Sequence, residues 1–130
     1  MNPELAPALY YLGDISLTQD KPAEAAEFFT AAIRRNPSCL DAHIGLGKAY
    51  FRMNKIAEAL QQFERANGID AGQPDIHYWL ATVYRRLQET EKSQREMQRF
   101  QALTETAKAS PAAKPSGHDR WVSSTCMDSL

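Results

Sequence analysis

From residue 6 to about residue 107 the apolar side chains advance in steps of three and four, the spacing that lines one face of an α-helix. Leu9, Leu12 and Ser16 mark one such face, His43, Leu46 and Tyr50 a second, and His77, Leu80 and Tyr84 a third. Each group lies 34 residues from the next, and the sequence keeps its register when slid against itself by that offset. Leu12-Gly13 falls on Leu46-Gly47 and Leu80-Ala81, Ala25 on Ala59 and Ser93, Phe29 on Phe63 and Met97, and Ala32 on Ala66. Large and small side chains therefore recur in phase. Polar breaks fall twice in every period and cut it into two helices of about twelve residues, an ordinary length in globular proteins. Gln19-Asp20-Lys21-Pro22 predicts an Asp cap, Asn54-Lys55 an Asn cap and Gln88-Glu89-Thr90 a Thr cap. Between periods Asn36-Pro37 stops a helix, and Ser38 with Asp41 has the form of a capping box that starts the next. Gly72-Gln73-Pro74-Asp75 makes the corresponding break one period later.

The small positions have a packing reason. Gly13, Gly47 and Ala81 let a partner helix approach closely, Ala25, Ala59 and Ser93 do so from the other side, and Phe29, Phe63 and Met97 fill the space between. In order and spacing, Leu12-Gly13…Ala25…Phe29…Ala32…Pro37 and Leu46-Gly47…Tyr50…Ala59…Phe63…Ala66 resemble the tetratricopeptide repeat, over residues 6 to 107. The resemblance implies an all-α fold in which three antiparallel helix pairs, 6–39, 40–73 and 74–107, stack into a right-handed α-solenoid. Phe100 departs from the pattern, standing where a small residue usually makes room for a following repeat. It is read as the end of the array, with the helix from Thr90 to Lys108 as its cap. Asn2-Pro3 lies 34 residues before Asn36-Pro37, so residues 1–5 read as the remnant of an upstream repeat or as an N-terminal extension. After Ala107 a stretch rich in Pro, Ala and Ser predicts a flexible tail over residues 108–130.

At 130 residues, 43% hydrophobic and 24% charged, the chain is sized for a single soluble domain. Fifteen Lys and Arg against sixteen Asp and Glu leave a net charge of −1, too little to gather nucleic acid or an anionic membrane. Cys39 and Cys126 stand far apart and outside any C-x-x-C pair, which points to two reduced thiols and no zinc site. No basic start followed by an apolar run opens the chain, and no apolar run reaches the roughly 18 residues of a membrane helix. Neither signal peptide nor membrane span is predicted, and the cytoplasm is the expected compartment.

Candidate chemistry is sparse. Gly45-Leu46-Gly47-Lys48 has the look of a phosphate loop, but a third Gly, a Ser or Thr after Lys48 and a preceding strand are missing. His43 and His77 stand one period apart and face alike, the best metal-like arrangement in the chain. Two ligands do not make a site, and both occupy the place where the family tends to carry a large packing side chain. Ser16, Thr82 and Ser93 lack a His and an acid at workable spacing, and Cys39 ends a turn. The glutamates, from Glu24 to Glu96, alternate with basic residues mainly on second helices, as solvated faces do. No catalytic, cofactor-binding or metal-binding residues are predicted.

What the resemblance implies instead is a groove, lined by the first helix of each pair. The family's inward positions fall on Tyr10, Asp14, Leu17 and Thr18 in the first pair. In the second they are Asp41, Ile44, Lys48, Phe51 and Arg52, and in the third Asp75, Tyr78, Thr82, Arg85 and Arg86. Asp41 and Asp75 lie near the starts of their helices, and the basic residues about 15 Å further along at 1.5 Å per residue. The function expected is a non-catalytic scaffold holding a peptide or protein segment, with anionic groups toward Lys48, Arg52, Arg85 and Arg86 and apolar ones against Tyr10, Phe51 and Tyr78. Family members that clamp the terminal carboxylates of heat-shock chaperones need Lys, Asn and Arg where this chain has Tyr10, Asp14, Gly45, Asp75 and Trp79. That clamp is not expected. Counted with Glu4, residues up to 39 carry −2, while 40–73 and 74–107 each balance at zero, which argues against the related readers of RNA. The alternative expectation is a structural or self-associating fragment of a larger repeat protein, stacking through exposed repeat ends, or an accessory module of a multidomain enzyme.

Overall fold

The computed structural model describes residues 5–109, with side chains through residue 106. The chain runs α1 (Ala6–Thr18), α2 (Pro22–Arg35), α3 (Leu40–Arg52), α4 (Ile56–Ile69), α5 (Pro74–Arg86) and α6 (Thr90–Ala109). Consecutive helices pack side by side, each pair repeats the one before it, and the result is an all-α, right-handed solenoid with no strand among the described residues. The expected N-terminal remnant, apart from Leu5, and the expected tail from residue 110 onward lie outside the described residues.

Each first helix ends in the same way, and not as the cap reading predicts. Asp20, Asn54 and Gln88 take left-handed backbone angles, with φ of 60°, 62° and 62°. The amide of each reaches back three residues, and the next amide five: Asp20 N to the Leu17 carbonyl at 3.0 Å and Lys21 N to Ser16 at 2.9 Å. Asn54 N and Lys55 N bond the Phe51 and Tyr50 carbonyls at 3.0 and 2.8 Å, and Gln88 N and Glu89 N those of Arg85 and Tyr84 at the same distances. This is the Schellman closure of a helix C-terminus. The helices that follow begin at Lys21 and Lys55 without a side-chain cap bond. Asp20 and Asn54 are therefore turn residues rather than caps, because short polar side chains tolerate the left-handed region. The capping box expected at Ser38 is also corrected: Cys39 is the N-cap of α3 and gives no side-chain cap bond. Between pairs, Asn36 Oδ1 accepts from the Ser38 amide at 3.1 Å, and Asp70 Oδ1, one period later, from the Gly72 amide at 2.9 Å.

The core is a row of phenyl rings slotted against bare backbone. Phe29 of α2 is fully buried between Gly13 of α1 and Gly45 of α3. A Cβ built on either glycine would come within 2.8 Å or 2.5 Å of the ring. Phe63 of α4 repeats the contact against Gly47, but its other neighbour is Trp79, which occupies the position of Gly45 one period on. The two rings stack at 5.5 Å, with only 12° between their planes. In the third pair Ser93 stands in place of Ala25 and Ala59, and its buried hydroxyl donates to the Ala81 carbonyl at 2.8 Å. Phe100 turns toward α5 and meets Tyr78 at 5.7 Å between ring centres. Cys39 is fully buried in the core, and Cys126 lies outside the described residues.

Candidate functional site

The first helices present an aromatic shelf centred on a residue absent from the sequence-based groove. Trp79 of α5 is half-buried and meets Phe51 edge-on at 5.6 Å and Tyr78 edge-on at 5.8 Å, while its other face stacks on Phe63. Tyr78 remains 44% exposed, so the shelf is open to solvent on that side. Lys48 Nζ lies 5.8 Å from the centre of the Trp79 ring, within reach of a cation–π attraction. The signal for Trp79 was present in the sequence as the replacement of Gly45 by Trp at the same place in the period. A bulky ring there cannot repeat the glycine's close approach, so it must spread along the surface instead.

Two of the four predicted basic residues hold the solenoid together. Arg52 donates to the Leu17 carbonyl at 3.1 Å and lies 3.6 Å from Asp20. Arg86, one period on, donates to Asn54 Oδ1 at 2.7 Å and covers the Phe51 ring at 5.2 Å. Each arginine thus clasps the left-handed turn of the preceding pair. Lys48 on Trp79 and the exposed Arg85 are the basic groups of the set that are not spent on these clasps.

The remaining predicted positions divide by depth. Leu17 and Ile44 are each only 7% exposed and belong to the core beneath the surface. Tyr10 is half-buried and packs on Phe29 at 5.9 Å. Asp14 and Thr18 are exposed, and Thr18 donates to the Asp14 carbonyl of its own helix at 2.9 Å. Thr82 likewise donates to the Tyr78 carbonyl at 2.9 Å. Asp41 and Asp75 sit in the first turns of α3 and α5, where a carboxylate is favoured by the helix dipole. Lys48, Phe51 and Tyr78 thus surround Trp79, and Arg86 joins them through Phe51; Tyr10 and Asp14 lie on α1 and make no contact with Trp79 among those described.

Both histidines are buried, at 4% exposure, in matching networks. His43 Nε2 donates to the Pro37 carbonyl at 2.9 Å, and Nδ1 meets the Gln62 side-chain amide at 3.0 Å. His77 Nε2 donates to the Ala71 carbonyl at 2.7 Å, and Nδ1 meets Glu96 Oε1 at 2.7 Å. With Nε2 donating, a neutral His43 ring needs the Gln62 amide turned with its N–H toward Nδ1. At His77 a proton lies between Nδ1 and the carboxylate, and Arg99 donates to the other Glu96 oxygen at 2.6 Å. The rings tie the inter-pair loop to α4 in one case and to α6 in the other. Among the described residues no group of three or more His, Cys, Asp or Glu is placed to hold a metal ion, and no helix is long and apolar enough to cross a membrane.

The family model of the tetratricopeptide repeat matches residues 16–77. The fold is similar to that of MamA, with a TM-score of 0.75 and 22% identity over 78% of this chain and 60% of that one. It is equally similar to the second tetratricopeptide-repeat domain of Spaghetti (RPAP3) bound to the HSP90 peptide SRMEEVD, with a TM-score of 0.75 and 18% identity over 78% of this chain and 94% of that one. The matched stretch reads as tetratricopeptide repeat, and the fold of the described residues is that of tetratricopeptide-repeat solenoids. The first such domain of human RPAP3 also matches, at a TM-score of 0.74 and 22% identity over 78% and 80% of the two chains. No curated protein matches the chain in sequence. Within the repeats, the aromatic shelf lies on the first helices, and the histidine networks brace the joint between one repeat and the next.

Proposed function

We propose that residues 6–107 form a protein-interaction module whose first helices hold an extended segment of another polypeptide, without catalysis. The observation that carries the reading is the open shelf of Phe51, Trp79 and Tyr78 beside Lys48, with Arg85 exposed two helical turns along α5 from Tyr78. Aromatic and basic side chains of this kind are frequent energetic centres of protein interfaces. The segment that fits has an apolar or aromatic residue for the shelf and a carboxylate within reach of Lys48 and Arg85. Support also comes from RPAP3, whose domain of the same fold is bound to a peptide containing acidic and apolar residues. The residues at the carboxylate-clamp positions here, Tyr10, Asp14, Gly45, Asp75 and Trp79, do not favour a free chain terminus, so the proposed ligand is an internal segment.

A peptide library displayed against the immobilised full chain tests this. Selected sequences are expected to pair an acidic residue with an aromatic or large apolar one. Their affinity should fall at least about tenfold, or by roughly 1.4 kcal/mol, in the double variant Lys48→Glu, Arg85→Glu, which leaves the Arg52 and Arg86 clasps in place. The peptide SRMEEVD should not compete. Selection that yields no acidic and apolar consensus, or binding unchanged in the double variant, removes the shelf from the function.

A further inference from the structure

The joint between the second and third repeats holds a recess that the proposed function does not use. It measures about 370 Å³ and is lined by Asn67 of α4, Ala71 of the following loop, His77 of α5 and Arg99, Ala102 and Leu103 of α6. Described residues of both repeats enclose it, so the recess belongs to the inside of the stack and not to either end. Its volume lies in the range of small-molecule sites. One joint earlier the place of Asn67 is taken by Ile33, which packs against the core there. The exchange of that aliphatic side chain for an amide leaves Asn67 Oδ1 buried and without a hydrogen-bond partner. A buried acceptor left unpaired is costly, and nothing in the surrounding helices relieves it.

Both ring nitrogens of His77 are engaged, by the Ala71 carbonyl and by Glu96, so the polar groups left for a ligand are Asn67 and Arg99. Arg99 Nη1 donates to Glu96 Oε2 at 2.6 Å, and the arginine side chain remains 55% exposed. The planar fork of a guanidinium carries further N–H donors, which suit a second carboxylate. We propose that the recess binds a small organic acid with a hydroxyl at the end remote from its carboxylate. The carboxylate pairs with Arg99, the hydroxyl donates to Asn67 Oδ1, and the apolar body lies against Ala71, Ala102 and Leu103. The χ2 torsion of asparagine is soft, so the amide turns its oxygen toward the ligand without movement of α4. A phosphate matches less well, because Glu96 already offsets much of the arginine's charge. The site is formed largely by second helices, whereas the shelf lies on first helices, and the two are separate.

The probe is 4-hydroxyphenylacetate, titrated into the isotope-labelled full chain and followed by NMR. Saturable shifts are expected at the Asn67 side-chain amide and at Leu103. Phenylacetate, which lacks the hydroxyl, and 4-hydroxyphenylacetamide, which lacks the carboxylate, should each bind at least about tenfold more weakly. Asn67→Ile, which places here the residue of the first joint, and Arg99→Gln should weaken the parent acid by a similar factor. Asn67→Ile removes the unpaired acceptor, so its melting temperature should not fall, and its loss of binding is then not a loss of fold. The Lys48→Glu, Arg85→Glu double variant should bind the acid as the parent does, which keeps this result apart from the one for the shelf. The proposal is overturned by no saturation up to about 10 mM acid, by equal binding of phenylacetate, by equal binding to the Asn67→Ile or Arg99→Gln chain, or by shifts confined to the shelf.

Discussion

Gly45 and Gly68 are both helical glycines, yet opposite outcomes are expected when each becomes alanine. A Cβ at Gly45 would lie 2.5 Å from the Phe29 ring, and that ring has Gly13 behind it and no room to retreat. Gly45→Ala should destabilise the fold by about 1–3 kcal/mol, as overpacking does. At Gly68 a Cβ meets nothing within 4 Å, and the backbone is not left-handed. Gly68→Ala should stabilise by about 0.5–1 kcal/mol, through the entropy that glycine gives the unfolded chain. Urea titration of the two variants checks both signs at once. The buried histidines give a second contrast. Glu96→Gln recreates at His77 the amide partner that His43 already has in Gln62, and little change is expected. Glu96→Ala leaves His77 Nδ1 and Arg99 without their partner and should cost about 1–3 kcal/mol in the same titration.

The helices are interchangeable in length and pairing, and their individuality lies in the ends. All three left-handed turns use a residue other than glycine, at a conformational cost of about 1–2 kcal/mol each. Asn54 offsets it through the bond from Arg86, whereas the Gln88 side chain forms no hydrogen bond among the described residues. Gln88→Gly should therefore raise stability by about 0.5–1 kcal/mol, the relief of strain less the added entropy of the unfolded chain. Asn54→Gly should gain less, because the clasp from Arg86 is lost with the side chain. Thermal melts of the two variants side by side measure the difference. Where the backbone needs a turn, polar residues such as Asp, Asn and Gln signal it, and an N-cap is only one of the structures they serve.

As a stack, the molecule has unlike ends. Each repeat contacts its neighbours alone, so stability is close to a sum of repeat and joint terms, and an uncovered end lacks one joint. Downstream, α6 extends for twenty residues and Phe100 packs onto Tyr78. Upstream, α1 shows an apolar side that the second and third repeats bury. Loss of segment binding in Lys48→Glu, Arg85→Glu belongs to the shelf, and the clasps of Arg52 and Arg86 between repeats should be untouched by it.

The period, the helix pairs and the slots for Phe29 and Phe63 were legible in the amino-acid order, because a helix of 3.6 residues per turn turns spacing into a face and residue size into distance of approach. Which groove residues are free to act was not. Arg52 and Arg86 look like ligand-binding charges in one dimension, and the packing of one repeat on the next brings each against a turn 32 residues earlier. Leu17 and Ile44 project inward in the pattern but sink into the core, and Trp79 rises to the centre of the shelf because Phe63 props it from below. The exposure of Tyr11 and Ile15 is of the same kind: their spacing matches residues that are buried elsewhere, and the presence or absence of a neighbouring helix sets the outcome. A side chain's spacing is a local property, while its burial and its partners depend on what the solenoid stacks against it.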